Sequence, residues 1–215
     1  WIRKDKRVWG PAGATIVSGA GTSKRLPAEG SYVVQQYVGT PQQPPLLWDG
    51  HKHDLRLWAV IASVRPLRVY LLQDGWARVA ARRYDASNLA ENLGDTCMHM
   101  SAAPCDELPE ASPRLMRTNL RRYREGLRPH GGGAFGADIW PQIERVVAKT
   151  MLLAAPLLEG YESMLRGAAA GSRRVGFLSV DVILGEDGRP HVEEVNANGF
   201  LVGERIPRGA EYTRD

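Results

Sequence analysis

The stretch VGFLSVDVILGEDGRPHVEEVNANG, residues 175–199, constrains this chain more than any other. Two β-prone runs flank Asp187-Gly188, the natural centre of a two-residue hairpin turn whose central positions need positive φ. Pairing outward from that turn sets Leu184 opposite His191, Ile183 opposite Val192 and Val182 opposite Glu193. It then sets Asp181 opposite Glu194 and Ser179 opposite Asn196. Side chains alternate between the faces of a strand, so Asp181, Glu194 and Asn196 share one face and Glu193 points to the other.

Directly opposed carboxylates have Cβ atoms about 5 Å apart and repel. A cation between them turns the repulsion into binding. Two acids and an amide form an oxygen-only set that suits Mg²⁺, with water and phosphate oxygens completing the shell. Two other readings stay open: one acid is protonated or paired with an arginine, or a longer turn shifts the register and separates the pair.

The remaining chain sets the context. With 215 residues there is enough length for one large domain or two small ones with a core. No apolar run approaches the ~20 residues of a membrane helix, and no signal peptide is visible. The chain opens at Trp1 with a segment that reads like the middle of a domain, so a fragment is expected. Cys97 and Cys105 are too few for a disulfide framework or a zinc site and fit a reducing compartment. A pI of about 9.2 suits an acidic partner or simply a solvated arginine-rich surface.

Short strands are predicted at 1–4, 14–19 and 31–38, followed by a Pro-rich connector at 39–47. Strands at 54–64 and 67–81 come next, the latter with a second hairpin signal at Asp74-Gly75. A basic amphipathic helix is predicted over 114–127, a flexible loop over 128–138, and a longer helix from Asp138 that Pro156 should end or kink. Its apolar positions Ile139, Trp140, Ile143, Val146, Val147, Met151 and Ala154 keep helical spacing.

In HKHDLRLWAVI, Lys52, Asp54 and Arg56 alternate with His53, Leu55 and Leu57, which places three charges on one strand face. Such a row is either a self-satisfied network or a nucleotide contact, with cations on phosphate and the acid on ribose hydroxyls. His51 and His53 read as polar rim residues. Arg78 stands between Ala77 and Val79 and needs an anionic partner, from the protein or from a substrate. Lys4, at a strand end before a loop, can reach a phosphate, although alone it is an ordinary surface lysine. GAGTSK (19–24) lacks the spacing of a phosphate loop and reads as a turn.

WIRK, VVQQYV, HKHDLRLWAVI, YLLQDGWARVAARRY, DIWPQIERVVAKTMLLAAP and the closing hairpin occur in that order. Together they resemble the catalytic region of the tubulin–tyrosine ligase-like enzymes, over about residues 1–203. The resemblance implies an α+β ATP-grasp fold, with mixed or antiparallel sheets, packed helices and the nucleotide between two subdomains. Residues 1–45 would belong to a partial central subdomain and 46–215 to the C-terminal one, with the family's N-terminal domain absent.

The resemblance also implies roles. Lys4 would contact ATP phosphate, and Gln35, Gln36, Tyr37 and Val38 would form the adenine hinge. Lys52 and Asp54 would hold the nucleotide, Asp54 on its ribose, with Arg56 near the phosphates. Arg78 would bind the carboxylate of the incoming amino acid, and Asp181, Glu194 and Asn196 would hold Mg²⁺. A His-Leu-Thr-Asn segment of the family has its nearest match in HMSA, where Ser101 can replace the Thr hydroxyl but Ala102 cannot replace the amide. The phosphate loop, GATI, lacks the usual basic residue, and ANGF follows the metal Asn.

The implied reaction is ATP- and Mg²⁺-dependent ligation of a free amino acid, with glutamate expected, to a carboxylate of tubulin's acidic C-terminal tails through an acyl phosphate. The basic helix at 113–128 would either attract such a tail, with Arg114 near the amino-acid site, or be an exposed helix with solvated arginines. Neither nucleic acid nor membrane is an expected partner. The expected location is cytoplasmic, at the cytoskeleton or cilium. Two other readings are a pseudoenzyme that binds tubulin or nucleotide, suggested by Ala102 and the thin phosphate loop, and an ATP-grasp ligase with a small-molecule acceptor.

Overall fold

The computed structural model describes residues 1–8, 10–17, 31–101, 105, 117–126, 135–166 and 176–196. The segments at 19–24 and 197–203, Ala102 and Arg114 lie outside them. β1 (Ile2–Asp5), β2 (Ala14–Ile16) and β3 (Tyr32–Gln35) form a three-stranded antiparallel sheet in the order β2-β1-β3.

A six-stranded antiparallel sheet follows. It contains β4 (Leu47–Trp48), β5 (His51–Val64), β6 (Leu67–Arg83), β7 (Arg117–Asn119), β8 (Gly176–Leu184) and β9 (Pro190–Asn196). Its order is β7-β6-β5-β8-β9, with β4 paired to β5. Short helices α1 (Leu89–Asn92) and α2 (Thr96–His99) leave β6, α3 (Leu120–Gly126) follows β7, and a π-helical turn (Phe135–Ile139) leads into α4 (Trp140–Arg166). This is the α+β architecture expected. Among the described residues no helix is long and apolar enough to cross a membrane.

The core explains which face of the large sheet is left for chemistry. Leu55, Leu57 and Ala59 on β5 and Val180, Val182 and Leu184 on β8 join Ile143, Val147 and Met151 of α4 in one buried cluster. Because strand side chains alternate, covering this face with a helix turns Asp54, Arg56 and Asp181 to the other. Beyond Met151 the helix outruns the core and leaves Leu152, Leu153 and Leu157 exposed. It also runs through Pro156 rather than ending there. Pro156 itself is exposed, where a lost N–H and a tilted carbonyl are met by water.

Three further expectations are corrected. The helix expected over 114–127 is, where described, a strand followed by a short helix. Arg117–Asn119 is taken up by pairing with β6, and the Asn119 side chain accepts the Arg122 N–H (2.9 Å), which starts α3 as a cap does. Helical winding begins at Phe135 and not at Asp138, because Phe135 is buried against Tyr123 and Trp140. Asp74-Gly75 makes no hairpin. β5 and β6 are joined at Arg65-Pro66, and Gly75 sits in a register shift where φ is +153°.

A Cβ on Gly75 would stand 2.1 Å from the Arg56 carbonyl oxygen. Gly75→Ala should therefore destabilise the fold by about 2 kcal/mol or more in urea unfolding. An effect below about 0.5 kcal/mol would show that the backbone here yields freely.

His53 is no rim residue. It is 1% exposed, 2.7 Å from the Tyr123 hydroxyl through Nε2, and burial pushes its pKa down to about 4. Between pH 6.5 and 4 the unfolded chain therefore binds the proton that the folded one refuses, and stability falls as pH falls. His53→Gln removes this titration. The stability gap between wild type and variant should shift by about 3 kcal/mol against wild type from pH 7 to pH 4. A gap that stays constant with pH would refute the assignment.

Candidate functional site

A cleft of about 1110 Å³ separates the small sheet from the uncovered face of the large one. Sheet register delivers its residues in rows. Arg56, Asp181 and Glu194 are cross-strand neighbours on β5, β8 and β9, and Asp54 lies opposite Arg78 and Ile183.

The closing hairpin reaches this arrangement by a different route from the two-residue turn. The loop is one residue longer, with Gly188 at φ +79° and its N–H bonded to the Gly185 carbonyl. The near pairs are accordingly Leu184 with Pro190, Ile183 with His191 and Val182 with Val192. A bulge at Glu193 adds one residue back, so Asp181 pairs with Glu194 and Ser179 with Asn196, as expected. The bulge also removes Glu193 from the opposite face and brings it to the cleft.

Asp181 is the electrostatic centre. Arg56 Nε and Nη2 donate to its two oxygens at 2.9 Å each, Arg78 Nη2 approaches Oδ2 at 3.0 Å, and Asn196 Nδ2 lies 3.5 Å away. Burial opposes its ionisation, but the Arg56 hydrogen bond and the two guanidinium charges outweigh that and hold its pKa below the usual carboxylate value. Arg78 Nε also donates to Asp54 at 2.6 Å, and the Ser101 hydroxyl donates to the other Asp54 oxygen. The anionic partner that Arg78 requires is thus two protein acids, which keep it charged against burial.

Lys52 is buried. It donates to the His99 carbonyl at 3.1 Å and stands 4.0 Å from the centre of the Tyr37 ring. Burial lowers its pKa to about 8, against the pull of Glu193 and Asp54. Burial likewise raises Glu193 to about 7, helped by Asp54 and opposed by Lys52, Lys4 and Arg78. The small sheet contributes Lys4 Nζ and Gln35 Nε2, which both donate to the Glu193 main-chain carbonyl, at 3.1 and 3.0 Å. Gln36, Tyr37 and Val38 also line the cleft. The thirteen residues to which the resemblance gives nucleotide, amino-acid or metal roles all border this one cavity.

Sequence reasoning missed two connectors. His99 Nδ1 meets the Tyr37 hydroxyl at 2.7 Å, tying α2 to the segment after β3. Cys97 and Cys105, read from the sequence as fitting a reducing compartment, form a disulfide that closes the segment carrying His99 and Ser101. Their closeness in sequence, eight residues apart, was the available signal.

Among the described residues, no three His, Cys, Asp or Glu side chains gather as a metal site. Two acids and an amide form a different set, and its chemistry fits a hard cation. Asp181 and Asn196 already touch, Glu194 lies opposite Asp181, and all three border the cleft.

A family described as "Tubulin-tyrosine ligase family" matches residues 12–199. The chain is 28% identical to Tubulin polyglutamylase TTLL7 of Homo sapiens over 192 residues, covering 85% of this chain and 21% of that protein. It is 29% identical to Tubulin polyglutamylase ttll6 of Danio rerio over 168 residues, 76% of this chain and 22% of the relative. A Probable beta-tubulin polyglutamylase of Tetrahymena thermophila is 30% identical over 175 residues, 77% and 14% respectively. The chain spans about a fifth of the length of the first two.

Proposed function

The chain belongs to the tubulin-tyrosine ligase family, and from that premise we propose that it serves the ATP- and Mg²⁺-dependent ligation of an amino acid, glutamate, to a carboxylate of an acidic protein tail such as tubulin's. Relatives named as tubulin polyglutamylases support the amino acid, the acceptor and a place at the cytoskeleton. Residues 1–45 would supply one wall of the nucleotide cleft and 46–215 the other. The single observation that carries the reading is the row Arg56–Asp181–Glu194 with Asn196, facing a cleft that also holds Lys4 and Lys52.

The acceptor carboxylate oxygen attacks the γ-phosphorus, the bond to the bridging oxygen breaks, and ADP leaves. The resulting acyl phosphate is attacked by the amine of the incoming amino acid. An amide forms, phosphate departs and the amine gives up a proton. Lys4 and Lys52 offset phosphate charge, and Gln35, Gln36, Tyr37 and Val38 line the base end. Arg78 orients the amino-acid carboxylate with the N–H groups that Asp54 and Asp181 leave free. Mg²⁺ held by Asp181, Glu194 and Asn196 would supply further charge neutralisation at the phosphates.

A binding-only reading is favoured by one observation: two arginines already neutralise Asp181. Calorimetry of ATP with the full chain separates the cases. Mg²⁺-dependent binding is expected in wild type and should weaken at least about tenfold in Glu194→Gln. Coupling of ATP hydrolysis to glutamate incorporation then distinguishes ligase from binder. Unchanged binding in Glu194→Gln, or none in wild type, would defeat the site assignment.

A further inference from the structure

Both cysteines of the chain share one bond, and it closes a segment that borders the cleft. Between Cys97 and Cys105 lie His99, Met100 and Ser101, which line the cavity. The His99 carbonyl accepts from Lys52 at 3.1 Å, its Nδ1 meets the Tyr37 hydroxyl at 2.7 Å, and the Ser101 hydroxyl donates to Asp54. The segment thus touches three residues that the nucleotide reading uses.

Its two ends are held differently. At the first, Asp95 accepts the Cys97 and Met98 N–H groups and is itself paired with Arg82 of β6 at 2.8 Å. The His99 ring is fixed between Tyr37 and two oxygens of Asn92, at 3.0 and 3.1 Å. These contacts keep α2 in place without help from the disulfide. Beyond Met100, whose N–H bonds to the Thr96 carbonyl, two bonds hold the segment among the described residues: Ser101 to Asp54, and the disulfide at Cys105. The cross-link therefore restrains the cleft wall at Ser101 more than it restrains α2. Opening it lets Ser101 leave Asp54, and a nucleotide must then order the segment again as it binds, at a cost in affinity.

We infer that Cys97 and Cys105 form a reversible thiol-exchange site that latches the nucleotide cleft. This rests on the reading of the cleft as a nucleotide site. Both cysteines are partly exposed, so a small thiol can reach them. A thiolate of the reductant attacks one sulfur, the S–S bond breaks and a mixed disulfide forms. A second reductant thiol attacks the mixed disulfide and frees that cysteine. Two electrons pass to the chain, each cysteine sulfur takes up a proton, and the reductant leaves as its own disulfide. Exchange with that disulfide runs the same steps backwards and restores the latch. A separation of eight residues keeps the second thiol near for this ring closure.

Glutathione is the probe. ATP binding with Mg²⁺ is measured by calorimetry on the full chain in reduced and in oxidised glutathione, and mass spectrometry follows free thiols and glutathione adducts. Wild type should bind ATP about threefold to tenfold more weakly when reduced, the range for re-ordering one or two side chains, and should recover on reoxidation. The double variant Cys97→Ser with Cys105→Ser should bind as reduced wild type does in both buffers. Ser101→Ala should bind more weakly than oxidised wild type and respond little to the buffer. A merely structural cross-link would instead weaken wild type and Ser101→Ala alike on reduction.

Equal ATP affinity of wild type in the two states overturns the latch, as does a full response kept by Ser101→Ala or by the double variant. Glutathione adducts that never resolve to the disulfide overturn it too. Each of these results leaves the nucleotide reading intact. Wild type that binds ATP in neither state overturns that reading and the latch with it. The wild-type comparison changes only the buffer, so it stands even if a variant folds poorly.

Discussion

Replacing Asp181 by asparagine is expected to lower the unfolding free energy by about 3–5 kcal/mol, the range for removing one partner of a buried ion pair. Asp181 is 3% exposed, and two guanidinium groups share its carboxylate. An amide keeps the shape but supplies a single acceptor oxygen and no charge. Arg78 retains Asp54, whereas Arg56 loses the charge of the carboxylate that it grips through two hydrogen bonds. The double variant Asp181→Leu with Arg56→Met should recover much of the loss, because an apolar pair of similar volume leaves no unpaired charge.

The pH dependence follows with a definite sign. The pKa of Asp181 is depressed in the folded state. Its stabilisation is thus present above the unfolded carboxylate pKa of about 3.9 and is lost as pH falls through the lower folded value. The gap between wild type and Asp181→Asn should narrow in acid. Urea unfolding of the three proteins at neutral and acid pH checks all of this. A neutral-pH loss under about 1 kcal/mol would mean that water screens the cluster.

The same cluster shows what a sequence discloses and what it withholds. Asp181, Glu194 and Asn196 were placed on one face by counting outward from Asp187-Gly188. That count survives because a loop one residue longer and a one-residue bulge at Glu193 cancel. Alternation supplies the face but not the bulge, so it points Glu193, the bulged residue, to the wrong side. Aspartate-glycine dipeptides report a demand for positive φ and do not report its use. Gly188 meets it in a hairpin loop, Gly75 in a register shift inside one long strand.

Arg78 was legible as a buried cation in need of an anion. Which anions it meets depends on how β5, β6 and β8 align, and no local pattern holds that information. His53 failed for a related reason. Its neighbours in sequence are polar, but Tyr123, remote in the chain, and Trp48, on the strand paired with β5, enclose it. Pairing of Cys97 with Cys105 likewise depends on the path of the chain after α2, whose first turn is fixed when Asp95 accepts the Cys97 and Met98 N–H groups.

Lys52→Met is expected to separate stability from binding. In the folded chain Lys52 is 6% exposed and its pKa falls from 10.5 to about 8 through burial. Between these values the unfolded chain binds more protons, so stability rises with pH across that window, and below pH 8 the fold carries the whole penalty of a buried charge. That penalty is about 3 kcal/mol. Methionine removes it but also removes the hydrogen bond to His99 and the cation over the Tyr37 ring, together worth about 2–3 kcal/mol. The two nearly offset, and the variant should unfold within about 2 kcal/mol of wild type, without the rise above pH 8. Nucleotide binding should respond quite differently. Loss of a desolvated cation facing the phosphates should weaken ATP by about a hundredfold at pH 7. Wild type should itself lose affinity as pH rises through about 8 and the Lys52 charge disappears, a slope that the variant lacks. Calorimetric titration with ATP at several pH values, beside urea unfolding under the same conditions, measures both sides. An affinity in Lys52→Met equal to wild type at every pH would place the phosphates away from this lysine and turn the base end of the cleft around.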